Sequence, residues 1–148
     1  MKLKDILELD CICLDLKADS KEGVIEELID LLDAAGKIID RSAALAAVMD
    51  REGKMSTGMQ DGIAIPHGKC NRVNGLVTAI GIRKDPIEFA SLDGKPCSIF
   101  VMTLSPLDRT GPHIQFLSEV SRALGDADRR ERVLRAQTTG EVIDILSA

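Results

Sequence analysis

Two long apolar runs, residues 76–82 and 98–104, constrain the fold of this 148-residue chain more than any other feature. Neither run alternates polar and apolar side chains in the way that leaves one face of a strand in water. Nearly continuous apolar runs are typical of central strands in a sheet that is covered on both faces. A turn at Asp93-Gly94 precedes the second run. The sequence therefore predicts two central strands beneath covering layers.

Helical spacing of apolar residues predicts what covers the sheet. The segment Asp19-Ser20-Lys21-Glu22 has the composition of a capping box and begins a first helix, which Gly36 ends. Asp40 can cap a second helix, and the C-terminal end of that helix carries Arg51 and Glu52. Strands that alternate with helices in this way predict an α/β layered sandwich.

Three more helices are predicted in the last third of the chain. Thr110-Gly111-Pro112 begins the first of them, because proline fits the opening turn of a helix, and His113 therefore lies in that turn. Residues 129–137 form the second helix. The capping-box segment Thr138-Thr139-Gly140-Glu141 begins the third, which runs through Leu146.

The N-terminal part of the chain and the segment after the second helix give weaker signals. Residues 9–16 alternate like a half-buried strand. Residues 53–62 are rich in glycine and predict a loop. Residues 63–65 follow as a short apolar strand.

His67 stands at the end of that short strand, in the segment Ile65-Pro66-His67-Gly68-Lys69. Pro66 fixes one backbone angle and has no N–H, and Gly68 lets a large group approach the backbone closely. The pattern is typical of a chain that presents a reactive imidazole. Histidine is largely neutral near neutral pH, and its free ring nitrogen is then nucleophilic.

His113 and Arg51 suggest what such an imidazole acts on. The first turn of a helix has unpaired N–H groups and a partial positive charge, so His113 lies next to a natural anion site. The guanidinium of Arg51 offers paired planar donors that match a phosphate and never deprotonates. If these two residues converge on His67, the pocket holds a phosphoryl group with His67 as its acceptor.

Residues 51–69 and 105–124 resemble the mannitol/fructose-type enzyme IIA domain of the bacterial phosphoenolpyruvate-dependent phosphotransferase system, including its nitrogen-regulatory type. The matching segments are Arg51-Glu52, Ser56-Thr57-Gly58, the strand ending at Pro66-His67-Gly68-Lys69, and His113-Ile114-Gln115-Phe116-Leu117. The resemblance covers nearly the whole chain. It implies a three-layer α/β/α sandwich with a central mixed β-sheet, and one type-2 enzyme IIA domain over residues 1–148.

The resemblance also implies a function. In this family the counterpart of His67 takes a phosphoryl group from the phosphohistidine carrier HPr and passes it to an enzyme IIB domain, with no metal or other cofactor. Carried over by position, Arg51 and His113 compensate phosphate charge, and Thr57 forms a hydrogen bond near the site. The segment Met59-Gln60-Asp61 departs from the smaller, glycine-containing loop of the family, and we expect it to bring the charge of Asp61 near the phosphate.

Two alternative functions stay open. A nitrogen-type regulatory enzyme IIA uses the same pocket, but its phosphorylation state controls binding to target proteins. A histidine-dependent hydrolase or phosphoesterase is disfavoured, because His67-Gly68-Lys69 and His113-Ile114-Gln115 lack the His-x-Ser/Thr pairs of two-histidine phosphoesterases. No serine or cysteine nucleophile elbow is present in the sequence either.

Each candidate residue also has a purely structural interpretation. His67 would then only end a strand in a turn, and His113 would only begin a helix. Arg51 would be a solvated charge at a helix end. Glu52 and Lys69 are expected to be exposed rather than catalytic.

Composition limits the partners and the location. A net charge of −5 argues against nucleic acid or an anionic membrane as the main partner. No apolar run approaches the roughly 20 residues of a membrane span, and the first residues lack the apolar block of a signal peptide, so we expect a cytoplasmic protein. The four cysteines are expected to be reduced and structural. His67 with Cys70 supplies too few ligands for a metal site.

Overall fold

A mixed β-sheet of five strands lies between two layers of helices in the computed structural model, which describes residues 2–148. The strands are β1 (Ile12–Cys13), β2 (Ile63–Ala64), β3 (His67–Lys69), β4 (Val77–Ile87) and β5 (Cys97–Ser105). The helices are α1 (Lys21–Ala34), α2 (Arg41–Lys54), α3 (Thr110–Leu124), α4 (Ala127–Arg135) and α5 (Thr139–Ser147). The predicted three-layer α/β/α sandwich with a central mixed sheet is confirmed.

The two apolar runs form the centre of the sheet, as predicted. β4 and β5 pair antiparallel, with Ile80 opposite Val101. β1 pairs with β4 in parallel, and both β2 and β3 pair with β5 in parallel. β4 runs on to Ile87 through a register shift after Ile82, beyond the strand predicted at residues 76–82. Its outer half is polar and contains Pro86, which a strand tolerates at such an irregularity.

Alternating side chains of the central strands build two separate cores. Phe100 and Met102 of β5 pack on one face of the sheet in the core that α1 and α2 cover. Ile99 and Val101 pack on the other face, in the core that α3, α4 and α5 cover. The period of two along β5 therefore supplies both layers, which is why the run reads as continuously apolar.

Helix caps confirm most of the predicted helix starts. The Asp40 side chain accepts a hydrogen bond from the Ala43 N–H at 3.2 Å and caps α2. The Thr138 side chain caps α5 by accepting from the Glu141 N–H at 3.1 Å. For α1 the cap is Ser20, which accepts from the Gly23 N–H at 3.1 Å, so the helix begins one residue later than a cap at Asp19 would place it.

Two predicted elements differ from the structure. Of residues 9–16, only Ile12–Cys13 forms a strand, because only these two residues pair in register with β4. The Leu16 N–H adds one separate bond, to the Ile82 carbonyl at 3.0 Å. Leu9–Cys11 forms a 3₁₀ turn instead. The predicted helix at residues 129–137 is α4, but it begins earlier, because the Asp126 side chain caps it through the Asp128 N–H.

Candidate active site

His67 is the first residue of β3 and lies opposite Thr103 of β5. The Pro66 carbonyl accepts a hydrogen bond from the Thr103 N–H at 3.0 Å, which fixes the peptide on the N-terminal side of His67. The His67 ring nitrogen Nδ1 lies 2.9 Å from the Ile65 carbonyl oxygen. A carbonyl oxygen only accepts, so Nδ1 carries a proton and donates it. In the neutral ring, Nε2 therefore carries the free lone pair.

Gly68 sets the distance between β3 and α2. A Cβ at this position would lie 3.0 Å from the Ala47 carbonyl carbon and 3.1 Å from the Val48 nitrogen. The group that approaches Gly68 is therefore the backbone of α2. This close packing brings the C-terminal part of α2, with Arg51, alongside the strand that carries His67.

His113 lies in the first turn of α3 with only 4% of its surface exposed. Its ring centroid is 5.4 Å from that of His67, and the two rings meet edge to face at 65°. Its Nδ1 is 2.9 Å from the Ser105 hydroxyl at the end of β5. Burial, with smaller effects from His67 and Lys69, lowers the pKa of His113 to about 4. The His113 imidazole is therefore neutral at pH 7.

Both histidines line one open cleft of about 530 Å³ between α2, β3 and α3. Its charged lining consists of three cations and one anion: Arg51, Lys54, Lys69 and Asp50. The Lys69 ammonium donates to the Thr110 hydroxyl at 3.3 Å, at the start of α3. An excess of positive charge in this cleft, on a chain with a net charge of −5, suits an anionic ligand.

Arg51 lies in the last turn of α2, where the sequence places it. Its Nη1 donates to the Met55 carbonyl at 2.7 Å. Within residues 2–148 this is the only hydrogen bond of the guanidinium, so its other N–H groups remain available to a ligand. The structure thus brings Arg51, His67 and His113 together around one cleft.

Thr57 does not line the cleft. Its side chain is buried, and its hydroxyl donates to the Glu52 carboxylate at 2.6 Å. Glu52, which was expected to be exposed, is only 6% exposed and also forms an ion pair with Lys21 at 2.9 Å. The hydroxyl of Thr57 is thus already engaged by a protein partner.

Asp61 also lies outside the cleft lining. Its carboxylate lies 3.8 Å from the guanidinium of Arg130 in α4, and its N–H donates to Asp93 at 3.1 Å. The expectation that Asp61 brings its charge to the cleft was wrong, because the chain turns at Asp61 and Gly62 with positive φ angles of 63° and 80°. That turn directs the carboxylate toward α4.

Sequence reasoning missed two residues of the site. Lys69 was expected to be exposed, but it lines the cleft; its position two residues after His67 on a strand, and hence on the same face, was the available signal. Ser105 was not singled out. It directly follows the second apolar run, and only the fold shows that it contacts His113.

The predictions about the cysteines, a metal site and a membrane span can also be compared with the structure. Cys11, Cys13, Cys70 and Cys97 are free thiols, as expected. Among the described residues, neither His67 nor Cys70 belongs to a group of three or more side chains that could hold a metal ion. Within residues 2–148 no helix has the length and apolar character needed to cross a bilayer.

A family model for the EIIA 2 component of the phosphoenolpyruvate-dependent sugar phosphotransferase system matches residues 5–148. The chain therefore belongs to the type-2 enzyme IIA family, as its sequence motifs indicated.

Two relatives are fructose components of this system. The chain is 39% identical over 145 residues to the fructose-specific EIIA component of Haloferax volcanii, covering 98% of this chain and 94% of the relative. It is 36% identical over 147 residues to the fructose-specific EIIABC component of Bacillus subtilis. The match covers 99% of this chain but spans only 23% of that longer protein.

Solved structures agree on the fold. The nitrogen regulatory protein IIA-Ntr of Neisseria meningitidis superposes with a TM-score of 0.90 at 31% identity, over 97% of this chain and 98% of that one. Enzyme IIA of mannitol from Escherichia coli, in its complex with phosphorylated enzyme IIB, gives a TM-score of 0.82 at 23% identity, over 95% and 96% of the two chains. At that identity the second match supports the fold alone.

Proposed function

We propose that this protein is a phosphohistidine carrier, which accepts a phosphoryl group from HPr on His67 and passes it to an enzyme IIB domain for sugar uptake. The observation that carries the proposal is the convergence of His67, His113 and Arg51 around one cleft, with the two imidazoles 5.4 Å apart. Residues 1–148 act in this proposal as one type-2 enzyme IIA domain, in the cytoplasm, where phosphoenolpyruvate is available.

The proposed step is an in-line displacement at phosphorus. The Nε2 lone pair of His67 attacks the phosphoryl group on the donor histidine, the new N–P bond forms, and the old N–P bond breaks as the donor imidazole leaves with its electron pair. The proton on Nδ1 stays in its hydrogen bond to the Ile65 carbonyl throughout. Onward transfer repeats the displacement in the other direction, with the acceptor group of enzyme IIB as the nucleophile and His67 as the leaving group.

Charge compensation is the main task left to the protein in such a transfer. The guanidinium of Arg51 supplies one permanent cation with free donors, and the ammonium of Lys69, next to Thr110 at the start of α3, supplies another. His113 is neutral at pH 7, so it contributes a polar contact to the phosphoryl oxygens without adding like charge beside His67. Its buried position and its bond to Ser105 hold the ring in place.

A regulatory role is a second candidate, in which phosphorylation of the same His67 controls binding to a target protein. The observation that favours it is the similarity to the nitrogen regulatory protein of Neisseria meningitidis, at 31% identity. Both candidates require the same cleft, so they differ in the acceptor and not in the chemistry.

Reconstitution with enzyme I, HPr and phosphoenolpyruvate, followed by addition of candidate enzyme IIB domains, tests the proposal. Sugar transport requires labelling of this protein and fast onward transfer to one IIB domain. Labelling without onward transfer to any IIB domain would favour the regulatory candidate. Absence of labelling by phosphorylated HPr would contradict both.

A further inference from the structure

We infer that Glu52 is a positioning residue, whose buried carboxylate holds the turn after α2 and thereby orients Arg51 in the cleft. The inference rests on the proposed function, because it concerns how Arg51 is presented to a phosphoryl group. Glu52 itself does not line the cleft. It would act only through its neighbour.

The Glu52 carboxylate has three contacts, two with Thr57 and one with Lys21. Its Oε2 accepts from the Thr57 N–H at 2.7 Å, and its Oε1 accepts from the Thr57 hydroxyl at 2.6 Å. The Lys21 ammonium of α1 lies 2.9 Å from Oε2. The two bonds to Thr57 close the chain from the end of α2 to the following loop, and we call this arrangement the Glu52 clamp.

Met55 lies in the turn between the two residues that the Glu52 clamp links. Its carbonyl accepts a hydrogen bond from the Arg51 guanidinium at 2.7 Å. Packing does not hold this turn, because residues 53–55 are exposed and the Met55 side chain is 66% exposed. Fixing residues 52 and 57 therefore fixes the peptide between them that holds Arg51. The remaining guanidinium donors are oriented as a consequence.

A second set of contacts ties the clamp to the rest of the fold. Ser56 donates to the Phe89 carbonyl at 2.6 Å and accepts from the Gly58 N–H at 3.0 Å. The Lys21 ammonium also lies 4.8 Å from the centroid of the Phe89 ring. The turn is thus anchored to α1 and to the segment between β4 and β5.

Stability alone does not explain a carboxylate in this place. Burying an ion pair is costly, and apolar side chains of similar volume often stabilise a core as well or better. The clamp instead gives a single geometry to a turn that has little apolar surface to bury. This geometry serves to position a side chain, because the Met55 carbonyl between the two fixed residues accepts a hydrogen bond from Arg51.

A double-mutant cycle tests the inference. The initial rate of phosphoryl transfer from phosphorylated HPr is measured for wild type, Glu52→Gln, Arg51→Ala and the double variant. We expect Arg51→Ala to slow transfer by about 10- to 100-fold, and Glu52→Gln by about 10-fold, the lower end of that range, because Arg51 is then present but misoriented. The double variant should be no slower than Arg51→Ala alone, because Glu52 has no effect once Arg51 is absent.

Two further variants keep the test decisive. Thr57→Val removes the hydroxyl bond while leaving the backbone bond to Glu52, so it replaces Glu52→Gln in the cycle if that variant does not fold. Thr138→Ala removes the cap of α5, which is not part of the site, and serves as a control that lowers thermal stability without slowing transfer.

The outcomes separate the inference from the proposed function. If Glu52→Gln slows transfer by the same factor with and without Arg51, the effect does not pass through Arg51 and the inference is overturned. If Arg51→Ala is slow but Glu52→Gln and Thr57→Val are both normal, the clamp does not position Arg51. If wild type is not labelled at all, it is the proposed function that fails.

Discussion

The guanidinium of Arg51 offers a geometry that another cation does not reproduce. If this guanidinium compensates charge on the transferring phosphoryl oxygens, Arg51→Ala removes a charged hydrogen bond worth about 1.5–3 kcal/mol. The transfer rate should then fall by roughly 10- to 100-fold. Arg51→Lys restores the charge but not the paired donors, so we expect the order of transfer rates to be wild type, Arg51→Lys, Arg51→Ala. Initial rates with phosphorylated HPr measure this order.

Thermal unfolding of the three Arg51 proteins is the control, because Arg51 also bonds the Met55 carbonyl at the end of α2. We expect similar melting temperatures. Equal rates for all three, or a rate loss that follows a loss of stability, would show that Arg51 is not part of the phosphate site.

His113 is expected to stabilise the phosphoryl group without accepting it. Its ring is buried and bonded to Ser105, whereas the ring of His67 is the more accessible one. His113→Ala should still be labelled but should transfer more slowly, by about 10-fold or more, with the larger effect on transfer to enzyme IIB. Rates measured in both directions decide this. Unchanged rates in both would leave His113 with a structural role only.

At the level of elements, β3 and α2 pack closely at Gly68, and both line the cleft. Gly68→Ala would place a Cβ 3.0 Å from the backbone of α2, and backbone cannot yield as a flexible side chain does. We expect a loss of about 1–3 kcal/mol in the free energy of unfolding and slower phosphotransfer, because α2 carries Arg51. Chemical denaturation and transfer rates measure the two effects.

Gly140→Ala is the matched control for this helix–strand contact. A Cβ at position 140 in α5 would meet its neighbours at 3.9 Å, an ordinary van der Waals distance. This variant should keep the wild-type rate and lose little stability. A Gly68→Ala protein that is as stable and as fast as wild type would show that the close approach of β3 and α2 is not required.

For the whole molecule, the buried imidazole of His113 makes stability depend on pH. Burial lowers its pKa from 6.5 to about 4, so between these values the unfolded chain binds a proton that the folded chain does not. The free energy of unfolding should therefore fall as the pH is lowered from about 6.5 to about 4, by up to about 3 kcal/mol.

The comparison that isolates His113 is the difference between wild type and His113→Gln, measured by denaturant unfolding across this pH range. Carboxylates titrate in both proteins and cancel in the difference. The wild type should lose more stability than the variant as the pH falls. Parallel curves would show that His113 is not held neutral by burial.

Local signals account for the parts of the fold that the sequence predicted. The two apolar runs and the caps at Asp40 and Thr138 act within a few residues, so their pattern is visible in the sequence. The prediction of a strand over residues 9–16 was right only for Ile12–Cys13, because strand formation there depends on which residues pair with β4. Pairing of that kind is set by tertiary contacts and not by alternation alone.

The site shows the same division between local and long-range information. His67, His113 and Arg51 stand in local motifs, and the structure places all three at one cleft. Glu52 was expected to be exposed because its burial depends on Lys21, 31 positions earlier, as well as on Thr57. The contact of Ser105 with His113 likewise follows from the position of α3 on the sheet.

The central claim is that His67 alone carries the phosphoryl group. The most direct test incubates wild type, His67→Ala and His113→Ala with enzyme I, HPr and radiolabelled phosphoenolpyruvate, and measures acid-labile, base-stable label on each protein. We expect one phosphoryl group per chain on wild type and on His113→Ala, and none on His67→Ala. Full labelling of His67→Ala would contradict the account.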